Sequence, residues 1–300
     1  MKTLIVCLWA GLLCAGPALA QEDLSSIIAG MEEPVINYAS AGFKTTRVIN
    51  GHSFENVGAG VLDVKISHRF GFINGGAYEL FGLDNASIRI GADYGITKHL
   101  MVGFGRSSFE KTYDGFVKYK FLRQSTGKRN MPISAAWVST IAVKTVKPAD
   151  PDQVNYFSSR LFYSHQLIIG RKFSESFSLQ LMPSLVHYNI VETSAAPNDI
   201  YAIGIAIRQK LSKRIALNGE YYYLINQANP EIHNSLSVGF DIETGGHVFQ
   251  LHFTNSTSMI EKGFIAETTG DWLNGDIHFG FNVSRVFTIA GKKKKMESPE

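Results

Sequence analysis

The residues of this sequence that could do chemistry are charged side chains and histidines that recur at alternate positions. Asp63, Lys65 and Arg69 show this spacing, and so do Arg89 and Asp93. Because alternate side chains of a β-strand share a face, the spacing predicts polar strand faces that carry both signs of charge. The candidates for this inward, lumen-lining face are Lys65, Arg69, Arg89, Asp93, Asp114, Lys118, Lys120, Arg208, Glu220, Asp241, His252, Asp276 and His278.

The two signs of charge nearly balance along these faces. A pore that selects strongly for cations or for anions more often shows an excess of one sign. A mixed set can guide small polar solutes along a water-filled path, or it can pair internally and fill a narrow interior. The sequence leaves both interpretations open.

The histidines raise two further hypotheses, a metal site and a lipid hydrolase. His252 and His278 are predicted on one face near Asp276, but no metal-ligand spacing motif accompanies them, so hydrogen-bonded histidines are favoured. A hydrolase needs an outward histidine beside a serine and a polar orienting group, and no nucleophile motif surrounds the candidates. The outward candidates are His68, His165 and His187. The prediction is therefore a protein without catalytic residues, metal or cofactor.

The composition argues against other classes. The 300 residues include 29 Lys and Arg against 26 Asp and Glu, and much of the net charge of +3 comes from the lysine run 292–295. The rest of the chain is close to neutral and shows no concentrated basic face for nucleic acid. Both cysteines, Cys7 and Cys14, lie in a predicted signal peptide, so the mature chain is expected to lack disulfides and thiolate chemistry.

Period-two alternation predicts the elements that position the charged residues. In residues 87–96, Arg89 and Asp93 share one face, whereas Ile88 and Ile90 share the other. About twelve segments of roughly ten residues behave this way, the length that a tilted strand needs to cross a bilayer. Long polar connections alternate with short turns, as in outer-membrane barrels. We predict an all-β fold, an antiparallel transmembrane β-barrel of about 12 strands with a short N-terminal extension.

A soluble β-sandwich or a lipocalin-like barrel is the alternative, because both show the same alternation. Strand length, the alternating loop lengths and aromatic residues near the strand ends favour the membrane barrel. Such aromatics form the girdles at the two membrane interfaces.

The beginning of the chain predicts export. Lys2, the apolar stretch 3–13 and the small-x-small pattern ending at Ala20 are typical of a cleaved signal peptide over residues 1–20. The expected location is the outer membrane of a Gram-negative cell.

The remaining chain divides into three parts. Residues 21–59 form an N-terminal extension, a periplasmic segment or a plug, in which residues 43–50 have the pattern of an extra strand before an Asn50-Gly51 turn. As a plug, this extension would place Arg47 and His52 in the lumen. The barrel is predicted over residues 60–287, and a Lys-rich periplasmic tail over residues 288–300.

Several long segments resemble one known family. They are FKTTRVINGHS at residues 43–53, GVLDVKISHRFG at 60–71, YELFGLDNASIRIGADYGIT at 78–97, and residues 105–124 and 248–272. Together they are similar to an uncharacterised barrel family of Bacteroidota-type envelopes, domain of unknown function fifty-seven seventy-seven, over most of the mature chain. The resemblance implies an outer-membrane β-barrel and supplies no substrate, reaction or catalytic residue.

The expected function is passive. The leading hypothesis is a narrow, porin-like pore or uptake channel for small polar solutes. One alternative is a non-transporting envelope scaffold or interaction protein, and another is an outer-membrane lipid hydrolase. The expected partners are outer-membrane lipids and small polar solutes, with no nucleic acid; protein partners are not specified by the sequence.

Overall fold

A computed structural model describes residues 35–148, 150, 154–191, 193–194, 196–227 and 229–290. The predicted signal peptide (1–20) and the tail beyond residue 290 lie outside this part of the chain. None of the helices in the described residues is both long and apolar enough to cross a membrane.

Twelve strands of the described chain form a closed antiparallel barrel, in which the last strand pairs with the first. The predicted barrel fold is therefore confirmed. The barrel strands are β2 (Val61–Phe72), β3 (Ala86–Gly95), β4 (Leu100–Ser107), β5 (Thr112–Leu122), β7 (Ser134–Lys144), β8 (Leu161–Lys172), β9 (Phe177–Tyr188), β10 (Asp199–Lys210), β11 (Ile215–Leu224), β12 (Ser235–Thr244), β13 (His247–Thr254) and β14 (His278–Thr288).

The strands alternate between a buried and an exposed face. In β10, Ala202, Ala206 and Arg208 are buried, whereas Tyr201 and Ile203 are exposed. Exposed isoleucine, valine and aromatic side chains recur on the outer face of most barrel strands. Exposure of such an apolar surface to water costs free energy, whereas contact with lipid does not, so the outer face is suited to a bilayer.

The two ends of the barrel differ in their connections. One end carries short turns such as residues 173–176, and the other carries longer connections such as residues 255–277 between β13 and β14. We name them the short-turn end and the long-loop end. At the short-turn end, β1 (Ile36–Tyr38) pairs with β6 (Ser125–Gly127) in a small separate ribbon.

Residues 39–60, here named the plug hairpin, fold into the barrel from the short-turn end. The chain enters where Ala39 N donates to Gln124 O and leaves where Gly60 N donates to Gly95 O at 2.8 Å. The expected strand over residues 43–50 is wrong, because this stretch has no partner strand in the described chain and only an isolated bridge between Arg47 and His52. Its backbone groups bond mainly to side chains of the wall.

Residues 255–270, here named the infolded loop, enter the barrel from the long-loop end. They contain the single-turn helix α1 (Glu261–Ala266), all of whose residues are buried. Connections of barrel strands usually run over the surface, since a buried loop must find partners for its backbone. This loop instead packs on the inner face of the barrel.

Candidate functional site in the barrel interior

One carboxylate of the barrel wall holds the tip of the plug hairpin. Glu220 on β11 accepts hydrogen bonds from the backbone N–H groups of Ile49 at 3.2 Å, Asn50 at 2.8 Å and Gly51 at 3.1 Å. Glu220 is only 2% exposed, so these charge-assisted bonds are shielded from water. The hairpin tip compensates a carboxylate whose burial would otherwise be costly.

Side-chain amides of the wall bind the rest of the hairpin backbone. Gln180 on β9 donates to His52 O at 2.7 Å and accepts from Phe54 N at 3.0 Å. Gln250 on β13 donates to Val48 O at 2.7 Å. Buried backbone groups require partners, and these amides take the place of a neighbouring strand. The sequence does not indicate these two glutamines as hairpin ligands, because isolated glutamines form no motif.

The plug hairpin meets the infolded loop in the middle of the barrel. Arg47 forms an ion pair with Glu261 of α1, and His52 Nε2 lies 3.3 Å from the same carboxylate oxygen. The ring of Phe116 on β5 packs edge-on against His52, with 4.4 Å between ring centroids, and lies under the Arg47 guanidinium. The two residues proposed from the sequence as plug residues therefore lie inside the barrel, at the contact between the plug hairpin and the infolded loop.

A second ionic contact, here named the Lys262 cluster, fastens the infolded loop to the long-loop end. Lys262 Nζ lies 2.9 Å from Glu110 Oε2 and 2.6 Å from Glu267 Oε2, and Lys144 also pairs with Glu110. Glu110 lies in the β4–β5 connection with φ of 52°, in the left-handed region that non-glycine residues rarely adopt. The cluster supplies contacts that offset this backbone cost.

The Lys262 cluster is expected to weaken at acid pH. Burial alone raises the pKa of the Glu110 carboxyl, but Lys262 and Lys144 outweigh it and bring the pKa below its ordinary value. Because the folded-state pKa is lowered, the stabilisation is complete above the ordinary glutamate range and is lost as the pH falls through the lowered value. Hydrogen exchange of residues 261–266, corrected for intrinsic rates, should show lower protection at acid than at neutral pH.

The matched variant for this experiment is Glu110→Gln. It should lower the protection of residues 261–266 at neutral pH and remove most of the acid-dependent change. An identical pH dependence in the wild-type protein and the variant would assign the change to other groups.

Some of the interior charges of the wall pair with one another. Arg89 on β3 reaches across β4 to Asp114 on β5, with Nε 2.9 Å from Oδ1 and Nη2 bonded to Oδ2. Gly105 of β4 lies under this bridge, where a Cβ atom would overlap the guanidinium. Glycine is therefore required at this close approach.

Lysines of the wall bond to the plug hairpin and to carboxylates of the wall. Lys118 Nζ donates to Glu55 O at 2.6 Å, and Lys120 Nζ lies 3.2 Å from the Glu55 carboxylate. Lys65 forms an ion pair with Asp93. The mixed charges that the alternation predicts thus bind one another and the hairpin in this structure.

The remaining inward candidates from the sequence are buried at other levels along the barrel axis. Arg208 Nη1 lies 3.4 Å from Gly42 O near the short-turn end, and Asp241 Oδ1 accepts from Gln250 at 2.7 Å. Arg69 bonds to the side chain of Asn50 in the plug hairpin. The contacts of Arg208 and Arg69 again join wall to plug, whereas Asp241 and Gln250 bond to each other within the wall.

The two inward histidines make no metal site. His278 Nδ1 lies 2.7 Å from Phe70 O and its Nε2 lies 2.9 Å from Thr257 Oγ1, so both ring nitrogens have partners. His252 is buried on β13. Within the residues that the structure describes, no three His, Cys, Asp or Glu side chains form a group able to hold a metal ion.

The expectation that Asp276 lines the lumen is wrong. Asp276 precedes β14, which begins at His278, and lies in the connection at the long-loop end. Its carboxylate accepts from Asn74 Nδ2 at 2.6 Å and from Asp271 N at 3.1 Å. The alternating pattern continues through Asp276, but the strand does not.

One side of the interior is apolar. Phe54 of the plug hairpin packs edge-on against Phe43 and belongs to a buried cluster with Ile168 of β8, Met182 of β9 and Phe264 of α1. Burying a large apolar side chain contributes about 1.5–3 kcal/mol. The hairpin therefore combines apolar packing against β8 and β9 with polar contacts to the wall, among them those of Gln180 on β9 and Glu220 on β11.

Cavities remain beside the plug at both ends. At the short-turn end, a recess of about 480 Å³ lies between the hairpin and the turn after β12, with Lys44, Glu55 and Glu243 in its lining. At the long-loop end, a recess of about 530 Å³ is lined by Phe162, Tyr188 and other side chains above the infolded loop. The plug and the infolded loop separate the two recesses.

On the outer face, one histidine has a serine partner. Ser139 Oγ lies 3.0 Å from His165 Nδ1 and accepts from Trp137 Nε1 at 2.9 Å. Ser139 is at the midpoint of β7 and not at a strand end, where the membrane interfaces of such barrels lie. Among the outward histidines of the described residues, it is His187 that pairs with a carboxylate, that of Asp199. The arrangement lacks the orienting carboxylate that a hydrolytic triad uses.

A closed antiparallel barrel with an apolar outer face and an occupied polar interior defines a membrane-bound β-barrel protein. The chain belongs to the family described as Membrane bound beta barrel domain (DUF5777), whose sequence model matches residues 43–287. This match confirms the resemblance of the quoted segments. It includes the plug hairpin from Phe43 onward, whereas an origin in Bacteroidota-type envelopes stays a prediction.

Solved structures of similar architecture include outer-membrane barrels. The NanC porin is 8% identical with a TM-score of 0.47, covering 75% of this chain and 98% of that chain. The COG4313 outer membrane channel from Pseudomonas putida F1 is 14% identical with a TM-score of 0.44, covering 78% and 98%. The outer membrane protein Omp33 of Acinetobacter baumannii is 8% identical with a TM-score of 0.37, covering 75% and 97%. No curated protein matches the chain.

Proposed function

We propose that this protein is a gated channel for small polar solutes in the outer membrane, closed in the conformation described above. The short-turn end then faces the periplasm and the long-loop end faces outward, as is usual for bacterial outer-membrane barrels. The plug hairpin is the gate.

The observation that carries this proposal is that the plug hairpin enters and leaves the barrel at the same end. Its first and last anchors, Ala39 and Gly60, both bond to the short-turn end. Withdrawal of the hairpin therefore breaks none of the pairing between barrel strands. A segment that crossed the lumen from end to end could not leave in this way.

The polar contacts of the hairpin also support a gate. Glu220, Gln250 and Asp93 bind the hairpin through groups that water can replace after withdrawal. The exposed polar face of β12–β14 and β2–β5 would then line a water-filled path between the two recesses. Its balanced charges suit small polar solutes of either sign.

A non-transporting scaffold is the second candidate, and the apolar side of the interior favours it. Phe43, Phe54 and Phe264 pack there in the manner of a permanent core. A scaffold keeps the hairpin in place throughout its working cycle. The two functions therefore differ in whether the hairpin moves.

A cysteine pair across the gate tests the proposal. Asn50 Nδ2 in the hairpin tip lies 3.0 Å from Ser237 Oγ on β12, so Asn50→Cys with Ser237→Cys places two thiols at facing positions, and loss of free thiol on oxidation verifies that they have formed a disulfide. In planar bilayers we expect discrete conductance steps from the reduced variant and none from the oxidised one. Glu261→Gln, which weakens the bond to Arg47, should raise the opening frequency by roughly tenfold or more.

Asp199→Asn is the control, because Asp199 pairs with His187 on the outer face of the barrel, away from the plug hairpin. It should leave the opening frequency unchanged. Silence of the wild-type, reduced and Glu261→Gln proteins, with folding verified by circular dichroism, would favour the scaffold. Equal conductance of the oxidised and reduced pair would show that solutes pass without hairpin withdrawal.

A further inference from the structure

A small cavity deep in the barrel is surrounded by positive charge. It lies between the plug hairpin and strands β2, β3, β13 and β14, with a volume of about 20 Å³. Arg47, Lys65, Arg69 and Arg89 all line it, and no carboxylate belongs to its lining. The side chains that line the cavity are therefore cationic or neutral.

Three of these four cations have a carboxylate partner that does not line the cavity. Arg47 pairs with Glu261, and Lys65 and Arg89 have acidic partners on the wall. Arg69 differs: in the described part of the chain, no carboxylate lies within ion-pairing distance. Its other contacts are to neutral oxygens of His68 and of two asparagine side chains.

Arg69 is 1% exposed, and its Nε is buried with no hydrogen-bond partner. Glu220 attracts the Arg69 guanidinium across the interior, but the Glu220 carboxylate accepts its hydrogen bonds from the hairpin tip and not from Arg69. A buried guanidinium with an unused donor and no contacting anion is costly. A water molecule can accept a hydrogen bond from Nε, but it cannot neutralise the charge.

We propose that the cavity binds one monovalent anion the size of chloride, held by Arg69 and the surrounding cations. A volume of about 20 Å³ accommodates one water-sized particle, so an anion the size of phosphate or sulfate is excluded. The cavity adjoins the larger recess of the short-turn end, with which it shares Thr45 and Ser284. That recess provides the route of entry.

The anion stabilises the seated plug hairpin. Arg69 also bonds to Asn50, and Arg47 belongs to the hairpin itself, so an anion between them joins wall and plug through charge. A permanent plug would gain the same contact, so the anion site does not require that the barrel conduct solutes.

Anomalous diffraction provides the direct test. Crystals of the wild-type protein grown in bromide should show an anomalous peak in the cavity beside Arg69. Diffraction data of adequate quality without that peak, while exposed bromide sites are visible, would overturn the proposal.

Thermal unfolding provides a test in solution. At constant pH and ionic strength, sodium chloride should raise Tm above its value in sodium gluconate, because an ion that binds the folded state stabilises it by mass action. Arg69→Gln should abolish this chloride dependence.

Arg208→Gln is the matched control for the thermal experiment. Arg208 is also a buried wall arginine with an unpartnered Nε, but it lies outside the cavity lining. It should retain the chloride dependence of the wild type. Equal loss in both variants, or no difference between chloride and gluconate in the wild type, would overturn the proposal.

Discussion

Replacing Glu220 with alanine is expected to release the tip of the plug hairpin. The carboxylate accepts from three consecutive backbone N–H groups, those of Ile49, Asn50 and Gly51. Each buried donor that loses its partner costs roughly 1–3 kcal/mol, which is large against the marginal stability of most folds. We expect fast hydrogen exchange at residues 49–51 and a lower free energy of unfolding in urea.

Glu220→Gln separates the carboxylate's charge from its geometry. The amide keeps one acceptor oxygen, so this variant should retain part of the protection that alanine loses. Asp199→Ala, on the outer face away from the plug hairpin, should match the wild type. Unchanged exchange at residues 49–51 in Glu220→Ala would mean that other wall contacts hold the tip.

The second large effect is expected at the Arg89–Asp114 pair. Asp114→Ala leaves the guanidinium buried without its bidentate partner, which costs about 3–5 kcal/mol. Gly105→Ala should act in the same direction, because the added methyl group overlaps the Arg89 side chain. Urea unfolding of the protein folded in detergent measures both changes.

The double variant Arg89→Met/Asp114→Leu is the matched control for this pair. Removing both charges together avoids an unpaired buried ion, so most of the lost stability should return. If the double variant were as unstable as Asp114→Ala, the cost would arise from packing and not from charge.

The barrel itself can be predicted from the sequence because lipid and interior impose opposite requirements on successive residues. In β10, Tyr201 and Ile203 contact the outside while Ala202 and Arg208 contact the inside. Every residue of such a strand carries information about its face. The short turns between strands add the direction of the chain.

The contents of the barrel are harder to predict. The plug hairpin bonds to glutamine, asparagine and glutamate side chains on distant strands, and single polar residues of this kind form no local pattern. The expectation that residues 256–275 are one of the long polar connections is wrong for the infolded loop, where Met259, Ile260, Phe264 and Ile265 are buried. Their apolar side chains are a signal of burial in the sequence, but they do not indicate the partner.

Asp276 shows the limit of periodicity at a strand end. Its spacing from His278 fits the inward face, yet the chain leaves the barrel between them. Alternation specifies a face only while the backbone stays extended, and strand boundaries are poorly defined by it. As a result, the sequence pattern places Asp276 in the barrel wall, whereas the residue lies in the connection before β14.

The ribbon of β1 and β6 limits how far the hairpin can travel. The segment is tethered on one side by this ribbon and on the other by β2, which is part of the barrel. In the proposed gate, return of a withdrawn hairpin to the lumen is therefore a unimolecular step at a high effective concentration set by the tether. Open intervals in a bilayer recording should be brief, and their mean duration should be independent of how much protein is present.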